Sequence, residues 1–84
     1  MTKPVRGFAV LPENLLDRVR RTLEDSIHLQ KTKVSVEDDD GVLVLQGHAT
    51  SYYLKQMAQE AIRPLLDEYD PRPMLRNLIE VGHS

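Results

Sequence analysis

The hydrophobic and polar positions of the chain are most regular in its middle third. Val34-Ser35-Val36 alternates as a half-buried strand does. Val42-Leu43-Val44-Leu45 is an apolar run between Gly41 and Gly47, too short for a helix and typical of a strand buried on both faces. The Asp40-Gly41 pair that separates the two segments is a strong signal for a two-residue turn. The pattern therefore predicts a β-hairpin whose second strand ends at Gly47.

A helix is predicted on each side of this hairpin in the chain. The first is expected over residues 12–28, because Pro12 suits a first helical turn and apolar residues recur at helical spacing. The second follows an N-cap at Thr50 or Ser51 and is expected to end or kink near Arg63, directly before a proline that cannot donate a hydrogen bond. The apolar stripes of the two helices are Leu15, Leu16, Val19, Leu23 and Ile27, and Leu54, Met57, Ala58, Ala61, Ile62 and Leu65.

The elements predict an α+β fold with the order αββαβ. The first strand is expected over residues 33–38 and the last over residues 74–81. The second helix is a crossover between parallel strands, so the second strand is central in a three-stranded mixed sheet with both helices packed on one face. We expect this domain to cover residues 12–81, with an N-terminal arm at residues 1–11 and a frayed tail at residues 82–84.

This arrangement leaves one face of the sheet without a helix. The leucines of the second strand face the helices, so Val42 and Val44 point to the open side, where Leu78 of the last strand also lies. Adjacent exposed aliphatic residues are a liability for a monomer. We therefore predict that these residues form an association face, covered either by the arm, which carries Phe8, or by a second subunit in a symmetric dimer.

Length and composition narrow the class of protein. The chain has 84 residues and no cysteine, which fits one domain and excludes disulfides and thiolate metal sites. A domain this small is marginally stable, and association is the remaining route to further stability. No apolar run approaches the ~20 residues that span a bilayer. The N-terminus also lacks the apolar region of a signal peptide, so we expect a cytoplasmic protein.

The charges are unevenly distributed along the chain, although the net charge is only −2. Residues 1–36 hold seven basic and four acidic side chains, whereas residues 37–84 hold four basic and nine acidic side chains. The basic half is suited to an anionic surface, the acidic half argues against DNA binding, and a mixed, solvated surface explains the same distribution. The residues predicted to contact an anionic surface are Arg18, Arg21, Lys31 and Lys33.

The chain offers little that favours catalysis or metal binding. His28, His48 and His83 are far apart in sequence and include no closely spaced pair of ligands, so we expect no metal site and no cofactor. The acidic turn at residues 38–40 is followed by aliphatic residues instead of further oxygen ligands. Ser51 has no evident His or Asp partner and is better explained as a helix cap. We expect no catalytic residues and no enzymatic activity.

Two adjacent tyrosines, Tyr52 and Tyr53, begin the second helix outside its apolar stripe. Tyrosine is common at interfaces with proteins and at membrane surfaces, because one end of the side chain is apolar and the other polar. Both are therefore candidate interface aromatics, the alternative being that one of them shields the end of the core.

The αββαβ order is combined with a recognisable set of residues. The most specific segment is Asp40-Gly41-Val42-Leu43-Val44-Leu45-Gln46-Gly47, supported by Val34-x-Val36, Ser51, Lys55, Ala58 and Leu75-x-Asn77-x-Ile79-x-Val81. Over roughly residues 13–81 the chain resembles the BON domain, a bacterial module named for an osmotically induced protein and nodulation proteins. The resemblance implies a non-enzymatic module that binds phospholipid or attaches a protein to a membrane or a partner.

Residues and resemblance together predict a small interaction module that forms a homodimer or binds a protein partner. An alternative is binding of anionic phospholipid through the basic face of the first helix. A second alternative is RNA binding through a basic edge of a small αβ fold, which no glycine-basic loop or aromatic pair on a strand supports.

Overall fold

A computed structural model describes residues 11–26 and 32–82 of the chain. The order of elements confirms the predicted α+β fold. The predicted arm except for Leu11, the predicted end of the first helix and the last two residues lie outside the described residues. The elements are α1 (Leu15–Asp25), β1 (Lys33–Asp39), β2 (Val42–Ala49), α2 (Tyr52–Leu66), β3 (Met74–Asn77) and β4 (Glu80–Val81).

β2 is the central strand of the sheet, as its apolar composition predicts. It pairs antiparallel with β1, parallel with β3 and, at its end, parallel with β4. Asp40 and Gly41 join β1 to β2 with φ values of 55° and 90°, the positive values that a two-residue hairpin turn requires. The Asp38 carboxylate accepts a hydrogen bond of 2.8 Å from the Gly41 N–H and fixes this turn.

The core lies between the helices and one face of the sheet, which confirms the predicted layering. Both helices and the strands β1, β2 and β3 contribute a buried side chain or a close neighbour to a single cluster, and no described polar side chain is buried. The leucines of β2 belong to this cluster, whereas its valines do not. The buried members are Leu15, Val19, Leu23, Val36, Leu43, Leu45, Ala49, Ala58, Ile62, Leu65, Leu66 and Ile79.

α1 is shorter than the range of residues 12–28 predicted for it. Asn14 has a left-handed backbone with φ of 68°, so the helix begins only after it, at Leu15. Before that point the Pro12 carbonyl accepts a hydrogen bond from the Leu15 N–H in a turn. Ser26 has an extended backbone with ψ of 121°, which ends the helix.

α2 begins as predicted but ends later. Ser51, not Thr50, is the N-cap, and its hydroxyl accepts a hydrogen bond of 3.2 Å from the backbone N–H three residues on. The predicted end near Arg63 is wrong, because the helix continues through Pro64 to Leu66. The two leucines after the proline are buried, and their burial offsets the hydrogen bond that the proline cannot donate.

β2 continues past Gly47, where it was predicted to end. Gly47 lies opposite Val34 with φ of 134°, a backbone region that favours glycine. A Cβ atom at this position would lie 1.8 Å from the carbonyl oxygen of Lys33. Glycine therefore allows β1 to approach, and β2 extends to Ala49, which is buried in the core.

The last strand is interrupted, so the sheet has four strands where three were predicted. β3 ends at Asn77, whose side-chain oxygen accepts a hydrogen bond of 3.2 Å from the Ile79 N–H. Pairing resumes at β4. Leu78 consequently lies between two strands and not within the last strand, although its N–H still donates to the Leu45 carbonyl at 2.8 Å.

Replacing Gly47 with alanine is expected to lower the free energy of unfolding by at least about 2 kcal/mol, because the added Cβ collides with the β1 backbone at an unfavourable φ. Urea unfolding followed by circular dichroism measures the change. Gly82→Ala is the matched control, since a Cβ there meets only the His48 side chain, at 3.6 Å. Equal losses in the two variants would contradict the assigned role of Gly47.

Candidate functional site

The sheet face opposite the helices carries the two valines predicted to form an association face. Val44 is 3% exposed although it lies outside the core cluster, and Val42 is half-buried. In register, Val44 lies between Glu37 of β1 and Arg76 of β3. A buried valine therefore occupies the centre of a sheet face on which no described helix packs.

Exposed apolar side chains lie beside these valines. Met74, which is opposite Val42 in register, is 69% exposed. Leu78, which follows β3, is 52% exposed. We call the surface formed by these residues the open face, defined by Val42, Val44, Met74, Arg76 and the adjacent Leu78. Phe8, the remaining predicted member, lies outside the described residues.

Met74 and Arg76 are the residues of this face that the predicted association face did not include. The alternation of β3 contained the signal, because Leu75 and Asn77 are directed to the helix side and their neighbours must take the other side. Met74 directly follows the proline-rich loop, so its place in the alternation of the predicted strand was not recognised.

The open face continues into a cleft of about 330 Å³ at the turn end of the sheet. Val42 and Met74 belong to both surfaces. The remaining wall comes from Leu11, from the turn between β1 and β2, and from the loop at residues 69–73. Because three separate parts of the chain build this cleft, no local sequence pattern announces it.

Arg18, predicted to contact an anionic surface, makes several contacts within the chain. Its guanidinium donates hydrogen bonds to the Glu68 carboxylate at 3.0 Å and to the Tyr69 hydroxyl at 2.7 Å. It also lies 5.7 Å from the centre of the Tyr69 ring. The hydrogen bond to Glu68, followed by that to Tyr69, raises the pKa of Arg18 above its usual value, so the group stays charged. These contacts tie α1 to the chain that follows α2.

The described members of the predicted basic set do not form one patch. Arg21 is exposed on α1 and forms no ion pair with another described residue. Lys33 is exposed at the start of β1, where alternation with Val34 directs it away from the helix side. Lys31 lies outside the described residues. The basic side chains of α1 are also matched by acidic ones on the same helix, at Asp17, Glu24 and Asp25.

Tyr52 and Tyr53 are both solvent-exposed at the start of α2, at 68% and 57%. The Lys55 ammonium lies 5.6 Å from the centre of the Tyr52 ring. Neither tyrosine is buried over the core, so their assignment as interface aromatics stays a prediction consistent with their exposure.

Asn77 holds α2 against the strand break next to the open face. Its side-chain NH₂ donates hydrogen bonds to the Lys55 carbonyl at 3.0 Å and to the Gln59 side-chain oxygen at 3.3 Å. The same side chain accepts from Ile79, so one amide fixes both the helix and the exposed Leu78 between the two strands.

Residues 11–26 and 32–82 contain no group of three or more His, Cys, Asp or Glu side chains placed to hold a metal ion. No helix within these ranges is long and apolar enough to cross a membrane. Of the three histidines considered in the sequence, His48 lies in β2, whereas His28 and His83 are outside the described residues.

Comparison with protein families gives a match to the BON domain over residues 13–67. The matched range is more than half of the chain and runs from the turn before α1 to the end of α2. No curated protein and no solved structure matches the sequence.

Replacing Arg18 with glutamine is expected to lower the urea midpoint of unfolding, because the variant loses the contacts with Glu68 and Tyr69. Arg21→Gln is the matched control on the same helix and is expected to leave the midpoint unchanged. The difference should shrink at high salt, since part of it is electrostatic. Indistinguishable midpoints at low salt would argue that Arg18 has no role in stability.

Proposed function

This chain belongs to the family of BON domains, and we propose that it is a non-catalytic interaction module that associates with itself and that uses the open face to bind a protein partner. BON domains are small non-enzymatic modules associated with phospholipid or protein interactions. The observation that carries the proposal for this chain is the apolar surface around Val44, where Met74 is 69% and Leu78 52% exposed.

The chemistry of the open face favours a protein partner. Methionine and arginine are enriched in protein interfaces, and Met74 and Arg76 lie side by side on β3. A flexible thioether adapts to the shape of a partner, while a guanidinium supplies hydrogen bonds at the rim. Burying these side chains against another protein removes apolar surface from water, which is the main favourable contribution to such contacts.

The cleft beside the open face supports the same assignment. Interfaces are often anchored by a few side chains that fill pockets near their centre. The cleft of about 330 Å³ is bounded by Val42, Met74 and Tyr69 and is large enough for one aromatic or aliphatic side chain of a partner. A partner lying across the open face would place such a side chain there without any movement of the sheet.

Binding of anionic phospholipid is the second candidate function, because BON domains include phospholipid-binding members and Arg21 is exposed and free of ion pairs with described residues. The charges on α1 give it less support than the open face gives protein binding. Arg18 forms an ion pair with Glu68 and a hydrogen bond with Tyr69, and Arg20 forms an ion pair with Asp17 at 3.0 Å.

A photo-crosslinking amino acid placed at position 78 is expected to give discrete protein adducts in cells that produce the chain, because Leu78 borders the open face. Position 56 is the matched control, since Gln56 is exposed on α2, away from the sheet. Mass spectrometry identifies the adducts. Adducts of equal yield at both positions, or lipid adducts alone at position 78, would contradict a protein-binding open face.

Vesicles of neutral and anionic phospholipid test the second candidate function. We expect the chain to sediment with neither at physiological salt, because the described basic residues of α1 are balanced by acidic ones. Co-sedimentation only with anionic vesicles, weakened by salt and lost in an Arg18→Ala/Arg21→Ala variant, would instead establish lipid binding through this helix.

A further inference from the structure

The outer edge of β1 is a second surface suited to binding, distinct from the open face. Among the described residues β1 pairs only with β2, and its seven residues contain no proline. Its register with β2 is continuous from Lys33 to Asp39, without a bulge. A long, regular edge strand presents unpaired backbone groups to another strand.

The hairpin turn determines which backbone groups of β1 face outward. In a two-residue hairpin the residues that flank the turn, here Asp39 and Val42, exchange both backbone hydrogen bonds. Hydrogen-bonded and non-hydrogen-bonded pairs then alternate along the strands. Ser35 and Glu37 therefore direct their N–H and C=O groups to β2, whereas Val34, Val36 and Asp38 direct theirs to the outer edge.

The sequence of β1 is complementary to itself about Ser35. The two residues next to Ser35 are both valine, and the two residues beyond those are Lys33 and Glu37, of opposite charge. An antiparallel copy of the strand therefore matches valine with valine and lysine with glutamate. This symmetry resides in five consecutive residues of one strand and is independent of the open face.

We propose that two copies of this chain pair their β1 strands antiparallel about a twofold axis at Ser35, which joins their sheets into one. Lys33 then lies opposite Glu37 of the partner subunit, and Val34 opposite the partner's Val36. Ser35 lies opposite Ser35 of the partner subunit. The proposal deepens the self-association in the proposed function by naming its surface and its occupant, and it leaves the open face of each copy accessible to a different protein.

The backbone geometry agrees with this register. Val34 and Val36 both direct their hydrogen-bonding groups outward, so each pairs with the other in the partner and exchanges both hydrogen bonds. Ser35 directs its groups inward, which makes the pair on the axis a non-hydrogen-bonded one with closely spaced side chains. All backbone groups at the centre of the contact are thus paired either with β2 or with the partner.

Neighbouring registers are less favourable. An axis at Val36 places Val34 opposite the partner's Asp38 and Ser35 opposite the partner's Glu37, so an apolar side chain faces a carboxylate. An axis at Val34 places Val36 opposite the partner's Thr32 and Ser35 opposite the partner's Lys33, so one valine and the lysine both lose a matching side chain. The axis at Ser35 matches both valines with valine and Lys33 with Glu37, and it places no apolar side chain opposite a carboxylate.

The packing next to the edge leaves apolar surface accessible on the helix side of β1. A groove of about 260 Å³ runs between α1 and β1 and is lined by Leu23, Val34 and Val36, with Arg20 and Glu24 at its side. Val34 is only half-buried in the single chain. The partner's valine extends the apolar row on this side of the sheet and covers the exposed part of Val34.

A cysteine at position 35 tests the axis directly, because the chain has no other cysteine. In a non-hydrogen-bonded antiparallel pair the Cα atoms are about 4.5 Å apart, within the range that a disulfide spans. The Ser35→Cys variant is expected to form a covalent dimer under mild oxidation, faster than a variant with its cysteine away from the axis. Gln46→Cys is the matched control, since Gln46 is exposed directly opposite Ser35 on β2 but away from the axis.

Charge reversal gives a second readout that does not depend on oxidation. Lys33→Glu and Glu37→Lys are each expected to raise the dissociation constant of the dimer about tenfold or more, because each places like charges opposite one another twice. The double variant Lys33→Glu/Glu37→Lys should recover the affinity of the original chain. Sedimentation velocity over a range of concentrations measures the constants, with Glu60→Arg/Arg63→Glu on α2 as the control pair.

Each of three results would overturn the β1 contact. The chain could remain monomeric at all concentrations, the cysteine at position 46 could cross-link as fast as that at position 35, or the double variant could fail to recover the affinity. None of these results affects the prediction that photo-crosslinking at position 78 captures a protein partner on the open face. A failed β1 contact can therefore be distinguished from a failed assignment of the open face.

Discussion

The pairing of β2 with a strand on each side is the constraint on which the rest of the structure depends. Because β1 and β3 hold this strand in the middle of the sheet, its leucines enter the core and its valines face away from the helices. Gly47 permits the close approach of β1 that this pairing needs. The same constraint leaves two surfaces without a described neighbour: the open face and the outer edge of β1.

These two surfaces differ in what they offer. The open face is broad and presents flexible apolar side chains around the buried Val44, which suits contact with another folded surface. The edge of β1 offers backbone hydrogen bonds and a symmetric order of side chains, which suits a second copy of the same strand. A module with both can assemble and still bind a partner, and neither contact requires catalysis. This is the role we assign to the chain within the BON family.

The sequence predicts the parts of this structure that depend on local patterns. The hairpin turn, the central position of β2 and a helix cap at Thr50 or Ser51 each follow from a few adjacent residues, and the structure places the cap at Ser51. Local patterns do not predict contacts between residues that are far apart in sequence. The helix passes Pro64 because the leucines that follow are buried by other elements, and no local rule weighs that burial. Arg18 was predicted to contact an anionic surface, and its contacts within the chain were missed because Glu68 and Tyr69 lie 50 and 51 positions away in sequence.

Amide hydrogen exchange at several protein concentrations tests the central claim most directly, since it reports the pairing of each backbone N–H. The account predicts that the amides of β2 exchange slowest at every concentration. It also predicts that the amides of Val34 and Val36 become protected as concentration rises, while those of Ser35 and Glu37 do not change. Rates for Val34 and Val36 that are independent of concentration, or β2 amides that exchange as fast as those of the edges, would contradict it.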